Sequence, residues 1–250
     1  MQIDSVRKVQ KCSFYFAFAY LRVACNQRFL ILHLNKFLKN CQMQEELCVQ
    51  FGCGLSCPEE WLNYDASPTL RIQKIPFLGP IFTKRRVKFP KSVRYGDVLK
   101  GLPHNDNSVD KIYCSHVLEH LSFEDFHLAI KEVYRCLRKG GEFRIVMPDL
   151  RVYATDYLNS VDSEASNLFM NKSMLGIQKR PVGVLNRLID SLGNHHHLWL
   201  WDAESTAAAL QVHGFSDVRN FKFREDEPTM FKFVQERSRF NDAVSISCRK

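Results

Sequence analysis

The sequence is short of the features that would place it quickly. Nine cysteines are present in 250 residues, but no Cys-x-x-C pair occurs, so a cysteine zinc site has no support. An odd number of thiols without repeated spacing, several inside apolar runs (Cys48, Cys114, Cys136), is accounted for most simply by buried, reduced cysteines. No apolar run reaches the ~20 residues of a membrane span. Internal repeats, low-complexity tracts and interdomain linkers are missing. The net charge is +8, yet the densest basic cluster, Lys84, Arg85, Arg86, Lys88, Lys91 and Arg94, lacks the interleaved aromatics of a single-strand stacking platform. Scattered solubilising charge accounts for the total more readily than an anionic partner does.

What remains fits one α/β domain with additions and a full core; 45% of residues are apolar. Before it, Cys12 to Leu21 is apolar on all sides and Arg22-Val23-Ala24-Cys25 resembles a lipoprotein cleavage site, but Arg22 stands where such a signal needs an apolar residue. Phe29, Leu30, His33, Leu34, Phe37 and Leu38 then share one helical face. Residues 1–44 are therefore read as an uncleaved helical extension packed on the domain or on a membrane surface, and 45–250 as the domain itself.

Within 45–250 the chemistry is ordered. A strand ending at Phe51 runs into Gly52-Cys53-Gly54; glycine permits positive φ and a close ligand, and exposed N–H groups there can receive an anion. Only Leu55 to Glu60 separate this turn from Trp61, so the first helix is a stub or absent. Trp61-Leu62-Asn63-Tyr64-Asp65 forms a second strand ending on a carboxylate, and Val93-Arg94-Tyr95-Gly96-Asp97 a third. Such carboxylates accept from vicinal ribose hydroxyls or an adenine amine, with Val98 as an apolar edge; each also suits a turn cap. Val109 to Cys114 is a fourth strand followed by Ser115-His116-Val117-Leu118-Glu119-His120. Ligands gather at carboxyl ends of strands, which places Ser115 and His116 there. His120 lies one helical turn beyond His116 and suits either catalysis or helix packing. Ser122 caps a helix whose stripe is Phe126, Ala129, Ile130, Val133, Tyr134 and Leu137, with Gly140-Gly141 as its C-terminal stop. Phe143, Ile145 and Met147 mark a fifth strand. Residues 150–200 are helix-prone and irregular. Asp202 caps a helix ending at His213-Gly214, and Phe215 to Phe223 and Ala243 to Cys248 form two strands able to pair antiparallel.

The order Gly-Cys-Gly, Trp-x-Asn-x-Asp, His-Val-Leu-Glu-His resembles the class I S-adenosylmethionine-dependent methyltransferases, within them a bacterial small-molecule, type 11-like branch. The resemblance runs from about Glu45 to Arg249 and departs at Glu59-Glu60, where Gly often precedes the Trp, and at Lys139, where proline often precedes Gly-Gly. It implies a Rossmann-like α/β fold, a seven-stranded mostly parallel sheet with an antiparallel last strand and helices on both faces. It implies S-adenosyl-L-methionine held by Gly52, Cys53, Gly54, Asp65, Asp97, Val98, Ser115 and His116. Catalytic candidates are His116, His120 and His197. His197-x-Trp199-x-Trp201-Asp202 is similar to the family's acceptor-side signature, so Tyr153, Trp199 and Trp201 are assigned to substrate; an aromatic packing cluster with an Asp202 cap is the alternative. No metal is expected, because consecutive His195, His196 and His197 diverge. The acceptor implied is a small molecule or saccharide, in a cytoplasmic enzyme. The chain lacks the Asn/Asp-Pro-Pro-aromatic turn and the Pro-Cys nucleophile of nucleic-acid methyltransferases, which counts against that class; it and a non-catalytic nucleoside-binding scaffold are the alternative readings.

Overall fold

The structure, a computed structural model, describes residues 46–75, 88–178, 182–183 and 196–250; the expected N-terminal helices and Lys84 to Arg86 lie outside them. The strands are β1 (Cys48–Phe51), β2 (Leu62–Asp65), β3 (Arg94–Tyr95), β4 (Val109–Ser115), β5 (Leu137–Pro148), β6 (Ser216–Asn220) and β7 (Ala243–Arg249). They form one sheet in the order β3-β2-β1-β4-β5-β7-β6. Pairing is parallel from β3 across to β5, and β7 runs antiparallel to both β5 and β6. The order reverses at β1, whose neighbours are β2 and β4, which opens a crevice at their carboxyl ends.

The two faces follow the period-2 alternation of strands. Val49, Phe51, Ile112, Cys114, Phe143, Ile145, Met147, Val244 and Ile246 point to one core. Upon it pack α2 (Phe123–Cys136) through Phe126, Ala129, Ile130 and Val133, and α5 (Ala203–Val212) through Ala209 and Leu210. The alternate residues Cys48, Tyr113 and Val146 face Trp61, Phe231 and Val234. Two 3-10 turns, Met230–Phe233 and Arg237–Phe240, bring Phe231 and Phe240 to this second face. Also on that side, Arg144 ion-pairs with Glu142 at 2.8 Å and Glu227 at 3.0 Å, and its guanidinium lies 4.1 Å from the Phe231 ring centre.

Capping explains the helix starts. Ser122 accepts from the Asp125 N–H, with Glu124 and Asp125 in the first turn of α2. Asp202 and Ser205 form a reciprocal capping box at α5, and Gly214, at φ +92°, follows the end of that helix. The other helices among the described residues are α1 (Pro68–Gln73), α3 (Leu150–Asn159) and α4 (Ala165–Lys172), the last two in the segment expected to be irregular. One expectation is corrected. Gly140-Gly141 does not end α2, which stops at Cys136; Leu137 is already extended, and the glycines lie inside β5. Gly140 takes φ +77°, and a Cβ on Gly141 would come within 3.1 Å of the Asp110 carbonyl of β4. Gly141 thus lets β5 approach β4 where the register slips between Val109 and Lys111, and Gly140 supplies the positive φ beside it.

Candidate functional site

No helix intervenes between β1 and β2; residues 52–61 are turns. Buried amides hold them. Gln50 of β1 donates to the Ser56 carbonyl at 2.8 Å and to Asn63 Oδ1, while Asn63 donates to the carbonyls of Pro58 (2.9 Å) and Trp61 (2.8 Å). Trp61 Nε1 donates to the Met230 carbonyl at 3.0 Å, with the ring packed on Tyr113 and Phe231. The Trp-x-Asn part of the motif is therefore a brace, and Asp65, two residues on, reaches the turn itself. Its Oδ2 accepts from the Gly54 N–H at 3.0 Å and its Oδ1 from the Ser67 N–H at 2.7 Å.

The two glycines differ. Both have positive φ, +64° and +56°. A Cβ on Gly52 would lie 2.1 Å from Val117 Cγ2, so Gly52 is required for contact with the loop after β4. A Cβ on Gly54 would meet nothing within 4 Å, so that side of the turn opens on free space. Cys53 is buried, and burial, then the neighbouring Asp65 carboxylate, push its thiol up to about 12. Asp97 caps its own turn, accepting from the Leu99 N–H at 3.1 Å and pairing with Lys100 at 2.9 Å. Val98 packs in the main core with Tyr64 and Leu102. Ser115 ends β4, and its Oγ is buried with no hydrogen-bond partner.

Beyond Ser115 the chain turns sharply. His116 adopts φ +54°, rare for a residue with a side chain. Leu118–His120 form a 3-10 turn, and the polar groups converge on Glu119. This carboxylate is 1% exposed, and neither oxygen has a hydrogen-bond partner. His116 Nδ1 stands 3.5 Å from its Oε1 and His197 Nε2 4.0 Å. The backbone carbonyl of Glu119 accepts from the N–H groups of Leu198 (2.8 Å) and Trp199 (3.2 Å), which docks the 197–201 segment here.

The tautomers follow from the partners, since a carbonyl only accepts. His120 Nδ1 donates to the His196 carbonyl (3.0 Å) and His197 Nδ1 to the Ser173 carbonyl (2.8 Å), so each neutral ring leaves Nε2 bare. His116 is reversed: Nε2 donates to the Arg239 carbonyl at 2.9 Å, and Nδ1 faces the carboxylate. Burial opposes protonation of His116, but the Glu119 carboxylate facing Nδ1 and the Arg239 carbonyl outweigh it and its pKa rises. For His197 burial dominates over Glu119 and the pKa falls. Tyr153 is raised by burial and then by Asp242 and Glu119; it lines a cleft of about 190 Å³ between α3 and α4.

The candidate residues thus fall into three places. Gly54, Asp65 and Ser115 edge the crevice, and His116, His120 and His197 gather around Glu119. Trp199 is 44% exposed, whereas Trp201 is 5% exposed, with its ring centre 4.2 Å from that of Phe126. Trp201 thus packs in the core against α2, the arrangement of the aromatic-cluster alternative, with its Nε1 buried and unpartnered. Glu119 was missed as a site residue. Its signal was a charged residue directly after Val117-Leu118, on the side of a turn that must pack inward.

Residues 49–145 match the family model described as a methyltransferase domain. The chain carries an S-adenosylmethionine-dependent methyltransferase domain. Among solved structures, a methyltransferase of this cofactor class from Thermotoga maritima, described as a possible histamine N-methyltransferase, is 19% identical over 89% of this chain and 97% of its own, with a TM-score of 0.44. One from Archaeoglobus fulgidus is 16% identical over 95% and 100%, with a TM-score of 0.43. No curated protein matches the sequence.

The methyltransferase domain takes its methyl group from S-adenosylmethionine. The residues present fit that group: open space beside Gly54, spare acceptor capacity on Asp65, and an unpartnered Ser115 hydroxyl at the same sheet edge.

Proposed function

We propose that this methyltransferase acts on a small-molecule or saccharide-type acceptor, held against the cluster around Glu119. One observation carries the reading. Gly52 touches Val117, and Val117 leads within two residues to Glu119, so the cofactor turn and the acid–base cluster are contiguous. Gly54, Asp65 and Ser115 are assigned to S-adenosylmethionine, which supplies a methyl group on a sulfonium. The Asp65 carboxylate is suited to the ribose hydroxyls and the Ser115 hydroxyl to a polar group beside them.

The other half of the site orients the acceptor and excludes water. An acceptor hydroxyl must lose a proton as it is methylated. The bare Nε2 atoms of His120 and His197, with the carboxylate behind them, can receive it as a coupled unit. Tyr153 and the exposed ring of Trp199 are assigned to the acceptor itself. A solvated ring suits the apolar face of a sugar or small ring system.

Two features weigh against a nucleic-acid acceptor. The catalytic cluster is enclosed, with Glu119 and His197 buried. Many described arginines are already paired: Arg135 with Glu132 and Asp106, Arg151 with Asp202 and Glu204, Arg237 with Glu225. The test is an acceptor screen that follows S-adenosylhomocysteine release from hydroxylated and amine-bearing small molecules, run beside RNA and DNA at graded salt. Turnover with a low-molecular-weight acceptor is expected. Methylated nucleic acid with salt-dependent binding would overturn the reading; cofactor binding with no turnover on any acceptor would favour a scaffold.

A further inference from the structure

We propose that Glu119, His120 and His197 form a binding site for a divalent first-row transition metal ion. One donor atom from each lies within 4.8 Å of the other two. In a tetrahedral site with ~2.0 Å bonds, donors stand roughly 3.3 Å apart. Closing on an ion therefore needs a movement of about 1.5 Å, within reach of side-chain rotation.

Three further observations point to an ion. The first is the state of the rings. Both Nδ1 atoms are committed to backbone carbonyls, of His196 at 3.0 Å and Ser173 at 2.8 Å. That bond fixes the tautomer and the ring plane and leaves Nε2 as the bare donor, as metal-bound histidines require. The second is the carboxylate. Glu119 is 1% exposed, and both oxygens lack a hydrogen-bond partner. A buried carboxylate is retained where something pairs with it. His116 Nδ1, at 3.5 Å, gives it one long ion-pair contact on Oε1, and His197 Nε2, at 4.0 Å, carries no proton to donate, so most of its acceptor capacity is left open. The third is the outer shell. The Glu119 carbonyl holds the N–H groups of Leu198 and Trp199, so the segment that brings His197 is tied to the turn that brings Glu119 and His120.

The expectation against a metal rested on neighbouring histidines that diverge, whereas this donor set draws only His197 from that run. His196 contributes a backbone carbonyl, and the partners of His197 come from 77 and 78 residues earlier in the chain. Two imidazoles and a carboxylate with no sulfur favour zinc, cobalt, manganese or iron(II) over copper(I). The ion would neutralise Glu119 and present an open coordination position beside the cofactor turn. The inference goes beyond the acceptor reading: an ion would occupy the Nε2 lone pairs of His120 and His197, so proton acceptance by those rings belongs to the ion-free site, and binding is measured without turnover.

The full chain is dialysed against chelator and titrated with Co²⁺, followed by its d–d absorption, and with Zn²⁺ in competition with a chromophoric chelator. One equivalent is expected, with a higher melting temperature when loaded. Glu119→Gln, His120→Ala and His197→Ala should each weaken Zn²⁺ by more than about a hundredfold. His213→Ala serves as the control; it breaks another close histidine pair, His127 Nδ1 to His213 Nε2 at 2.9 Å. The wild-type cobalt spectrum stands even where a variant fails to fold. No cobalt band and no zinc binding by the wild type would overturn the proposal. So would stoichiometric binding that survives the three site variants and disappears in His213→Ala.

Discussion

Replacing Asp65 tests the cofactor side most directly. A carboxylate offers about four acceptor positions. Two are taken, by the Gly54 N–H at 3.0 Å and the Ser67 N–H at 2.7 Å, which leaves capacity for a ribose diol. Hydrogen bonds to a charged group contribute roughly 1.5–3 kcal/mol each. Losing two of them in Asp65→Ala weakens S-adenosylhomocysteine by about 3–6 kcal/mol, or about two to four decades in Kd at ~1.4 kcal/mol per decade. The glycine turn also loses its anchor, which pushes the effect toward the upper end. Asp65→Asn keeps one acceptor oxygen but sets an NH₂ against either the Gly54 or the Ser67 N–H, so it should fall between. Isothermal calorimetry measures the affinities, with circular dichroism confirming the fold. A folded Asp65→Ala protein that binds S-adenosylhomocysteine like the wild type would sink this assignment.

Three further outcomes are expected. Trp201→Ala empties a core position against Phe126 and should cost about 3–5 kcal/mol in denaturant unfolding; Trp199→Ala should leave stability nearly unchanged and lower turnover at constant cofactor affinity. Arg144→Leu strands the buried carboxylates of Glu142 and Glu227 and should cost about 3–5 kcal/mol, while replacing all three by apolar residues should recover much of it. Asp202→Ala removes the α5 cap, worth about 1 kcal/mol. The Ser205 side chain and N–H, opposed by slight burial and aided by Arg151, hold the Asp202 pKa below the ordinary aspartate value. Its stabilisation is therefore full above the unfolded-state pKa of about 3.9 and is lost as pH falls through the lower folded-state value. Wild type and Asp202→Ala should differ in melting temperature at pH 7 and converge in strong acid.

The parts of the fold that were legible are those set by local chemistry. Ser122 and Asp202 announce helix starts because their side chains bond N–H groups within three residues. The missing first helix was legible as a length, since six residues from Leu55 to Glu60 cannot hold one and a turn at each end. Gly140-Gly141 misled because glycine after a helical stripe reads as a stop, whereas here it answers to the Asp110 backbone on another strand. Trp201 was legible only as a choice between acceptor side and packing cluster, because its burial comes from Phe126, 75 residues away. Glu119 stood in plain view between two apolar residues and a histidine, yet its importance depends on His197 and Ser173, which only the folded chain brings near.

The position of β7 has a consequence during synthesis. It is inserted between β5 and β6, pairing Met147 with Val244 and Ile145 with Ile246. Until residues 243–249 leave the ribosome, β5 carries an open edge across its most apolar stretch, and β6 has no sheet to join. A nascent chain that has already assembled the cofactor turn and the histidine cluster therefore still presents an adhesive strand about a hundred residues behind its growing end. Translation speed and holdase chaperones should govern the yield of soluble protein, independently of any interaction in the finished site.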